Sequence, residues 1–452
     1  MRITLIKPNM GMSKGKVYID EGRMEPLQIG VLAGMIPKED AVTFYDDRME
    51  AIDYTEKTDL VALTVETFTA KRSYQIADQY KKRGVPVVLG GMHVTLCPEE
   101  AKAHADAIVI GDAESVWRSL LEDAKNKRLR PVYRGAYQSC PQEKVFVRRD
   151  LFQNKGYLPI TLMQYSRGCP YHCHFCASSA YFGARHAVRP IDEVVEEIRR
   201  QKRKLVFFVD DNIVADFTAA KALFRALIPL KIRWVSQGSI DMLKDKELMQ
   251  LMVQSGCMGL VIGFESVDPQ NLAAMNKQAN RSLSENYEEQ IEALRAYGLQ
   301  TWAAFTIGHD NDTVESVEAL CDFAIQSKFT FAAFNILMPY PGTRLYDRLA
   351  AENRLLYDGK WWLHPAYRFN HAAFVPKRMT ADELTTAGFQ ARKRFNAPGS
   401  IFKRAFEPRT NMGSPYRLMT YLLYNPLFRK EVFKKQDMYL GVQDDDENYC
   451  AR

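Results

Sequence analysis

Short apolar runs alternate with amphipathic segments of helix length twice along the chain, and this repeat constrains the fold more than any other feature. Before residue 125 the runs are ITLIKP, AVTFYDD, DLVALTV, PVVLGG and AIVIGD, separated by stretches such as TAKRSYQIADQYKKRG. Strand-length apolar runs joined by helices are the pattern of a parallel sheet covered on both faces. Residues 1–125 are therefore expected to form a doubly wound domain, whose ligands bind outside the carboxyl ends of the strands. Those ends fall in KPNMG, TVETF, GGMHVT and GDAES.

Residues 126–160, with RLRPVYRGAYQSCPQEK, read as an irregular linker. A second series follows over 161–354: TLMQYS, KLVFFVDD, IRWVSQGS, MGLVIGFES, TWAAFTIGHD and FAAFNILMPYPG, with helices such as PIDEVVEEIRRQ between them. Six βα units in order predict a barrel or partial barrel. Over 355–452 the alternation stops. KWWLHPAYRFNHAAFVPK is aromatic and basic, and SPYRLMTYLLYNPLFRKEVFKKQ reads as an amphipathic helix pair broken at Pro426. This mainly helical region is expected either to cap the barrel or to face an amphipathic substrate or a membrane surface, since aromatics beside Lys and Arg suit both.

Composition narrows the class. Hydrophobic residues at 46% and charged ones at 26% of 452 residues exclude a disordered chain. MRITLIKPNMG carries no cleavable signal and no run reaches ~18 apolar residues, so a cytoplasmic protein is expected. The net charge of +6 is mild, with basic KNKRLRPVYR and RKEVFKKQ against the acidic tail QDDDEN, and no nucleic-acid partner is expected. Cys97, Cys140, Cys257, Cys321 and Cys450 are scattered singly, which is no disulfide framework.

The other three cysteines stand together in SRGCPYHCHFC: Cys169, Cys173 and Cys176. Structural zinc wants four ligands, usually as two spaced pairs, and here only His172 or His174 would be at hand as a fourth. A cubane iron-sulfur cluster held by three thiolates leaves one iron open to a small chelating ligand. Cys-x3-Cys-x-aromatic-Cys after the first barrel strand, with Phe175 the aromatic, resembles the radical S-adenosylmethionine (radical SAM) superfamily.

That resemblance implies a 4Fe-4S cluster on Cys169, Cys173 and Cys176, reductive cleavage of S-adenosylmethionine, and a 5′-deoxyadenosyl radical kept in a dry cavity. It places Asp210 and Asp211 of VDD near the methionine amine, and Ser236 and Gln237 of SQGS near the carboxylate or ribose. GLVIGFES resembles the family's glycine-rich fifth strand, with Gly263 and Glu265 near the nucleoside, and IGHDND after the sixth resembles its adenine loop. Asp310 and Asp312 there also suit helix caps. Arg167 and Gly168 would shape the strand exit.

YDDRMEAI, GGMHVTLCPEEA and ADAIVIGDAESVW resemble the Rossmann-like cobalamin-binding domain fused to radical SAM barrels. Gly90 and Gly91 would let backbone approach the cofactor. The Asp-x-His-x-x-Gly signature is absent, which puts Glu66, Thr67 and Phe68 near the lower face of cobalamin. His93 suits either a ligand or a packing residue. The fold class so implied is a doubly wound cobalamin-binding domain, a partial (β/α)6 TIM-type barrel and a helical carboxyl-terminal region. The function implied is cobalamin-dependent methylation of an unactivated carbon in an isoprenoid, lipid, tetrapyrrole or similar metabolite, with flavodoxin or ferredoxin as electron donor and peripheral membrane contact. Radical cyclisation, rearrangement, epimerisation or oxidation is the alternative within the family, and a non-catalytic metal-binding interaction protein the alternative outside it.

Overall fold

The computed structural model describes residues 1–13, 15–136, 145–281 and 286–442; Cys140, Cys450 and the tail QDDDEN lie outside them. Six parallel strands form a first sheet in the order Ala41–Asp46, Arg2–Lys7, Leu60–Thr64, Val87–Gly90, Ala107–Ile110, Val132–Arg134. Both faces are covered, which is why the strands read as continuous apolar runs. Leu5, Ala62, Val88 and Val109 pack on one face against Ile29, Ala33, Trp117 and Leu120. Ile6, Leu63, Leu89 and Ile108 pack on the other against Tyr74, Ala77, Trp361 and Trp362. The strand order reverses between Arg2–Lys7 and Leu60–Thr64, and a crevice opens at the carboxyl ends of strands at such a switch point.

The sixth strand, Val132–Arg134, comes from the stretch read as an irregular linker, and Phe152 from the same stretch packs edge-on to Phe44 at 5.7 Å. Three residues are too few to show an alternation, so the sequence carries no strand signal there.

The second sheet takes its six parallel strands in chain order: Thr161–Met163, Leu205–Phe208, Arg233–Gly238, Cys257–Glu265, Gln300–Ile307 and Phe331–Ile336. The first and last strands are not paired with each other, so the barrel is partial. Alternate residues divide between two faces. Phe208, Trp234, Ser236, Leu260, Ile262, Phe305 and Phe334 are buried on the helix side. Phe207, Val235, Gln237, Val261, Gly263, Trp302, Ala304, Ala333 and Asn335 form an inner face that is only partly buried. Cys257–Glu265 is thus the fourth strand and Gln300–Ile307 the fifth, one place earlier than the resemblance numbered them.

The carboxyl-terminal helices are Ala381–Phe395, Pro398–Ala405 and Pro415–Lys435. The last runs unbroken through Pro426, against the expected break. Pro426 is exposed, on the side where water can take the Leu422 carbonyl that proline leaves without a donor. The chain then returns to the first domain, where Tyr439–Leu440 pairs antiparallel with Gly11 and Met12. Of the two readings of the aromatic stretch, packing is the one found: Trp361, Trp362 and Tyr367 are buried, in the core of the first domain.

Candidate active site

The three cysteines stand half-buried on a loop whose two ends are tied down. Before it, Ser166–Gly168 pairs with His186–Val188. Gly168 takes φ +77°, and a Cβ there would lie 2.1 Å from the Arg185 carbonyl oxygen, so only glycine fits. Its N–H donates to Asp211 Oδ2 at 2.8 Å, and the Ser178 hydroxyl donates to Asp211 Oδ1 at 2.5 Å. Asp210 is fully buried and accepts from the Tyr165 N–H (3.1 Å), the Ser166 hydroxyl (2.6 Å) and the Ser166 N–H. Burial pushes its carboxyl up to about 6 against the pull of those bonds. Both aspartates thus hold the cysteine loop, Asp210 from within the core and Asp211 from a half-buried position.

The loop's far side rests on the segment after the fourth strand. The His174 N–H donates to the Met275 carbonyl at 3.0 Å, its Nδ1 lies 3.1 Å from the Ala274 carbonyl, and the His172 carbonyl accepts from Asn276 at 3.1 Å. His174 is thus a fastener of the loop. Phe175 packs against the barrel core. Asn212, which the sequence reading missed, points its Nδ2 at Cys169 Sγ (3.9 Å) and at Ser239 Oγ (3.0 Å). Burial pushes the Cys173 thiol up to about 11 and raises Cys169, so a metal binding there must displace protons.

At the tip of the fourth strand a bulge between Gly263 and Glu265 sets Glu265 at φ +63°. Its carboxylate meets Lys277 Nζ at 2.7 Å, and a Cβ on Gly263 would fall 2.4 Å from one and 2.7 Å from the other. Lys277, also missed, lies within electrostatic reach of Cys173 and Cys176; burial lowers it, and Glu265 with the two thiols more than offsets that. Gln237 lies on the inner face, but Ser236 does not: it is buried and donates to the Phe208 carbonyl at 2.8 Å. Asp312 accepts the N–H groups of Gly308 (2.8 Å) and His309 (2.9 Å), while Asp310 pairs with Arg348, Arg354 and Lys377. Neither caps a helix; Thr313 does.

In the first domain Glu66 lies at the switch point, its half-exposed carboxylate 2.6 Å from Lys7 Nζ, and Lys7 holds it below the usual carboxylate range. Thr67 is buried, and Phe68 packs on Trp361 (4.9 Å) and Phe369 (5.0 Å), so both are turned into the core. Gly91 takes φ +109° with the Val65 carbonyl 2.8 Å from where its Cβ would be. Gly90 and Gly91 border a cavity of about 310 Å³ between the sheet, Leu27 to Leu32, and Gln164, Arg167 and Tyr181 of the barrel. His93 is fully buried, 3.1 Å from Glu100 and edge-on to Trp362 at 5.5 Å, which makes it a packing histidine. Arg167 joins the halves: it pairs with Asp112 at 3.3 Å and with Glu114, and the Tyr181 hydroxyl donates to Asp112 at 2.9 Å.

These residues fit the groups the resemblance implies. Among the described residues no three His, Cys, Asp or Glu side chains converge as a single ion needs. A cubane instead seats each cysteine on a separate iron. The cavity beside Gly90 and Gly91 offers an apolar slot reached over bare backbone, suited to the nucleotide tail of a corrinoid.

A parallel sheet with a crevice at its switch point, locked to a partial barrel with three loop cysteines, defines a class: barrel enzymes that pair a cluster with a second cofactor domain. Residues 163–324 match the Radical SAM superfamily and residues 21–121 the B12 binding domain. The bacteriochlorophyllide d C-12(1)-methyltransferase of Chlorobaculum tepidum is 30% identical over 415 residues, covering 88% of this chain and 88% of its own. The hopanoid C-2 methylase of Rhodopseudomonas palustris is 26% identical over 417 residues, covering 87% and 76%. The cobalamin-dependent S-adenosylmethionine radical enzyme OxsB with aqua-cobalamin bound superposes with TM-score 0.66 at 14% identity, over 95% of this chain and 71% of that one. The chain belongs to the cobalamin-dependent radical SAM enzymes. Its cofactors are those of the family: a 4Fe-4S cluster, S-adenosylmethionine and cobalamin.

Proposed function

We propose that the enzyme transfers a methyl group to an unactivated carbon of an amphipathic or polycyclic metabolite. One observation carries this reading: Tyr340, half-buried after the last barrel strand, packs edge-on to Phe68 of the first domain at 6.1 Å and lies within electrostatic reach of Glu66 and Cys176. The switch-point loop of the first sheet and the cysteine loop are therefore neighbours, and the cavity beside Gly90 and Gly91 reaches Arg167 just before the cysteines. When bound, the cluster supplies the electron that splits S-adenosylmethionine, and cobalamin carries the methyl group. Cys169, Cys173 and Cys176 would hold the cluster, and the Glu265–Lys277 pair lies within electrostatic reach of Cys173 and Cys176 to bind what the cluster leaves open. Asp210, Asp211 and His174 keep the loop in register. Lys7 and Glu66 would border a corrinoid bound at the switch point, and Gln237 and Asn335, near the carboxyl ends of their strands on the inner face, would present polar groups to substrate. A small flavodoxin or ferredoxin supplies the electron.

The relatives named above act on a bacteriochlorophyllide and a hopanoid, which makes those compounds the first probes. Anaerobically reconstituted enzyme given reductant, S-adenosylmethionine and either compound should yield S-adenosylhomocysteine together with 5′-deoxyadenosine and a product heavier by one methylene. Deoxyadenosine with no S-adenosylhomocysteine would remove methyl transfer and leave cyclisation, rearrangement or oxidation.

A further inference from the structure

Helices Pro398–Ala405 and Pro415–Lys435 are packed inside out. Their buried side is polar. Arg404 is fully buried and donates to the carbonyls of Phe329 (2.8 Å), Thr330 (3.0 Å) and Phe395 (3.1 Å) and to Asn425 Oδ1 (3.2 Å). The Tyr421 hydroxyl donates to the Ile401 carbonyl at 2.6 Å, and Asn425 and Glu431 are buried on the same side. Their outward side is apolar: Phe402 is 68% exposed, Leu423 61% and Leu422 52%, with Phe406, Met419 and Phe433 also exposed. Met419, Leu422, Leu423, Pro426, Lys430 and Phe433 recur at helical spacing, so they form one stripe along the longer helix. Water-soluble surfaces avoid such contiguous apolar faces unless something covers them.

The charge of this face identifies its cover. Between residues 398 and 435 the acids are Glu407 and Glu431, both buried. Lys403 and Lys430 are exposed, and Lys403 has no ion-pair partner among the described residues, while Arg409 is already paired with Glu292 and Glu407. Lys430 and Lys434 share the single carboxylate of Glu21. A second copy of the chain would oppose these lysines with its own. A bilayer with anionic headgroups would neutralise them while taking up the phenylalanines and leucines at the depth where interfacial helices lie.

We propose that this helix pair is a docking surface for an anionic lipid bilayer. It lies in the surface of the bilayer, and no described helix is long and apolar enough to cross a membrane. On its inner side Phe428 packs on Trp302 (4.7 Å) and Phe331 (5.0 Å), residues at the start of the last two barrel strands. The docked face would therefore lie at the amino-terminal end of the barrel strands, opposite the end that carries the cysteine loop.

Flotation of the reconstituted holoenzyme with vesicles tests this. Vesicles of phosphatidylcholine with roughly a third phosphatidylglycerol should carry the protein up, pure phosphatidylcholine should carry far less, and salt should weaken the binding. Phe402→Ser with Leu422→Ser and Leu423→Ser should abolish flotation. Lys403→Glu with Lys430→Glu should weaken it by about tenfold or more. Deoxyadenosine formation in all of these variants should match the unmodified enzyme, which also reports that they are folded. No flotation, flotation indifferent to lipid charge, or flotation unchanged in the serine variant would overturn the proposal. So would light scattering that finds a dimer dissociated by the serine substitutions, since the face would then be a self-interface.

Discussion

At the residue scale, local chemistry and distant approach divide what was legible. Cys169, Cys173 and Cys176 were legible because a cluster needs its ligands at short fixed spacing. Lys277, Asn212 and Tyr340 were not, because the fold brings them to the loop from strand ends and turns far along the chain. Gly263 was legible as a glycine, but its reason lies in the Glu265–Lys277 pair that its missing Cβ admits. Gly263→Ala is predicted to push that pair apart and lower S-adenosylmethionine cleavage by about tenfold or more, a misplacement cost. Iron and sulfide content should stay at the level of the unmodified enzyme. Unchanged cleavage would show that the pair does not position the reacting molecule.

At the scale of elements, all eleven strands read from the sequence are present, while strand phase was not readable. A parallel strand buried on both faces has no polar alternation to say which side looks inward. That is why Ser236 and Gln237 were assigned together and only Gln237 reaches the inner face. Ser236→Ala should cost about 1 kcal/mol of stability, the usual worth of a buried hydrogen bond, with turnover intact. Gln237→Ala should leave the thermal midpoint in place and reduce product formation. The reverse pattern would mean that the inner face has been assigned to the wrong side. Proline likewise misled at Pro426, where exposure makes the lost backbone bond affordable to the helix.

At the scale of the whole molecule, the two halves are welded by contacts that no local pattern announces. Arg167 reaches Asp112 and Glu114, and Glu100 of the first domain meets Trp362 Nε1 at 3.0 Å. Burial pushes the Glu100 carboxyl up, but His93, Trp362 and Tyr74 together bring it down to about 2. A carboxyl depressed in the folded state contributes stability that is complete above its usual 4.5 and lost as pH falls through about 2. The gap in thermal midpoint between the apoprotein and its Glu100→Gln variant should therefore narrow across that window, by the equivalent of about 3 kcal/mol at most. A gap that stays constant with pH would show that the Glu100 charge does not hold the halves together.

The central claim is that one chain holds a cluster on three cysteines and a corrinoid in the neighbouring crevice. An anaerobic absorption spectrum of the reconstituted protein, recorded beside Cys173→Ala, tests it most directly. The account predicts superposed iron-sulfur and corrinoid bands in the unmodified protein, and corrinoid bands alone in the variant. A spectrum without corrinoid, or a cluster that survives the loss of Cys173, would contradict it.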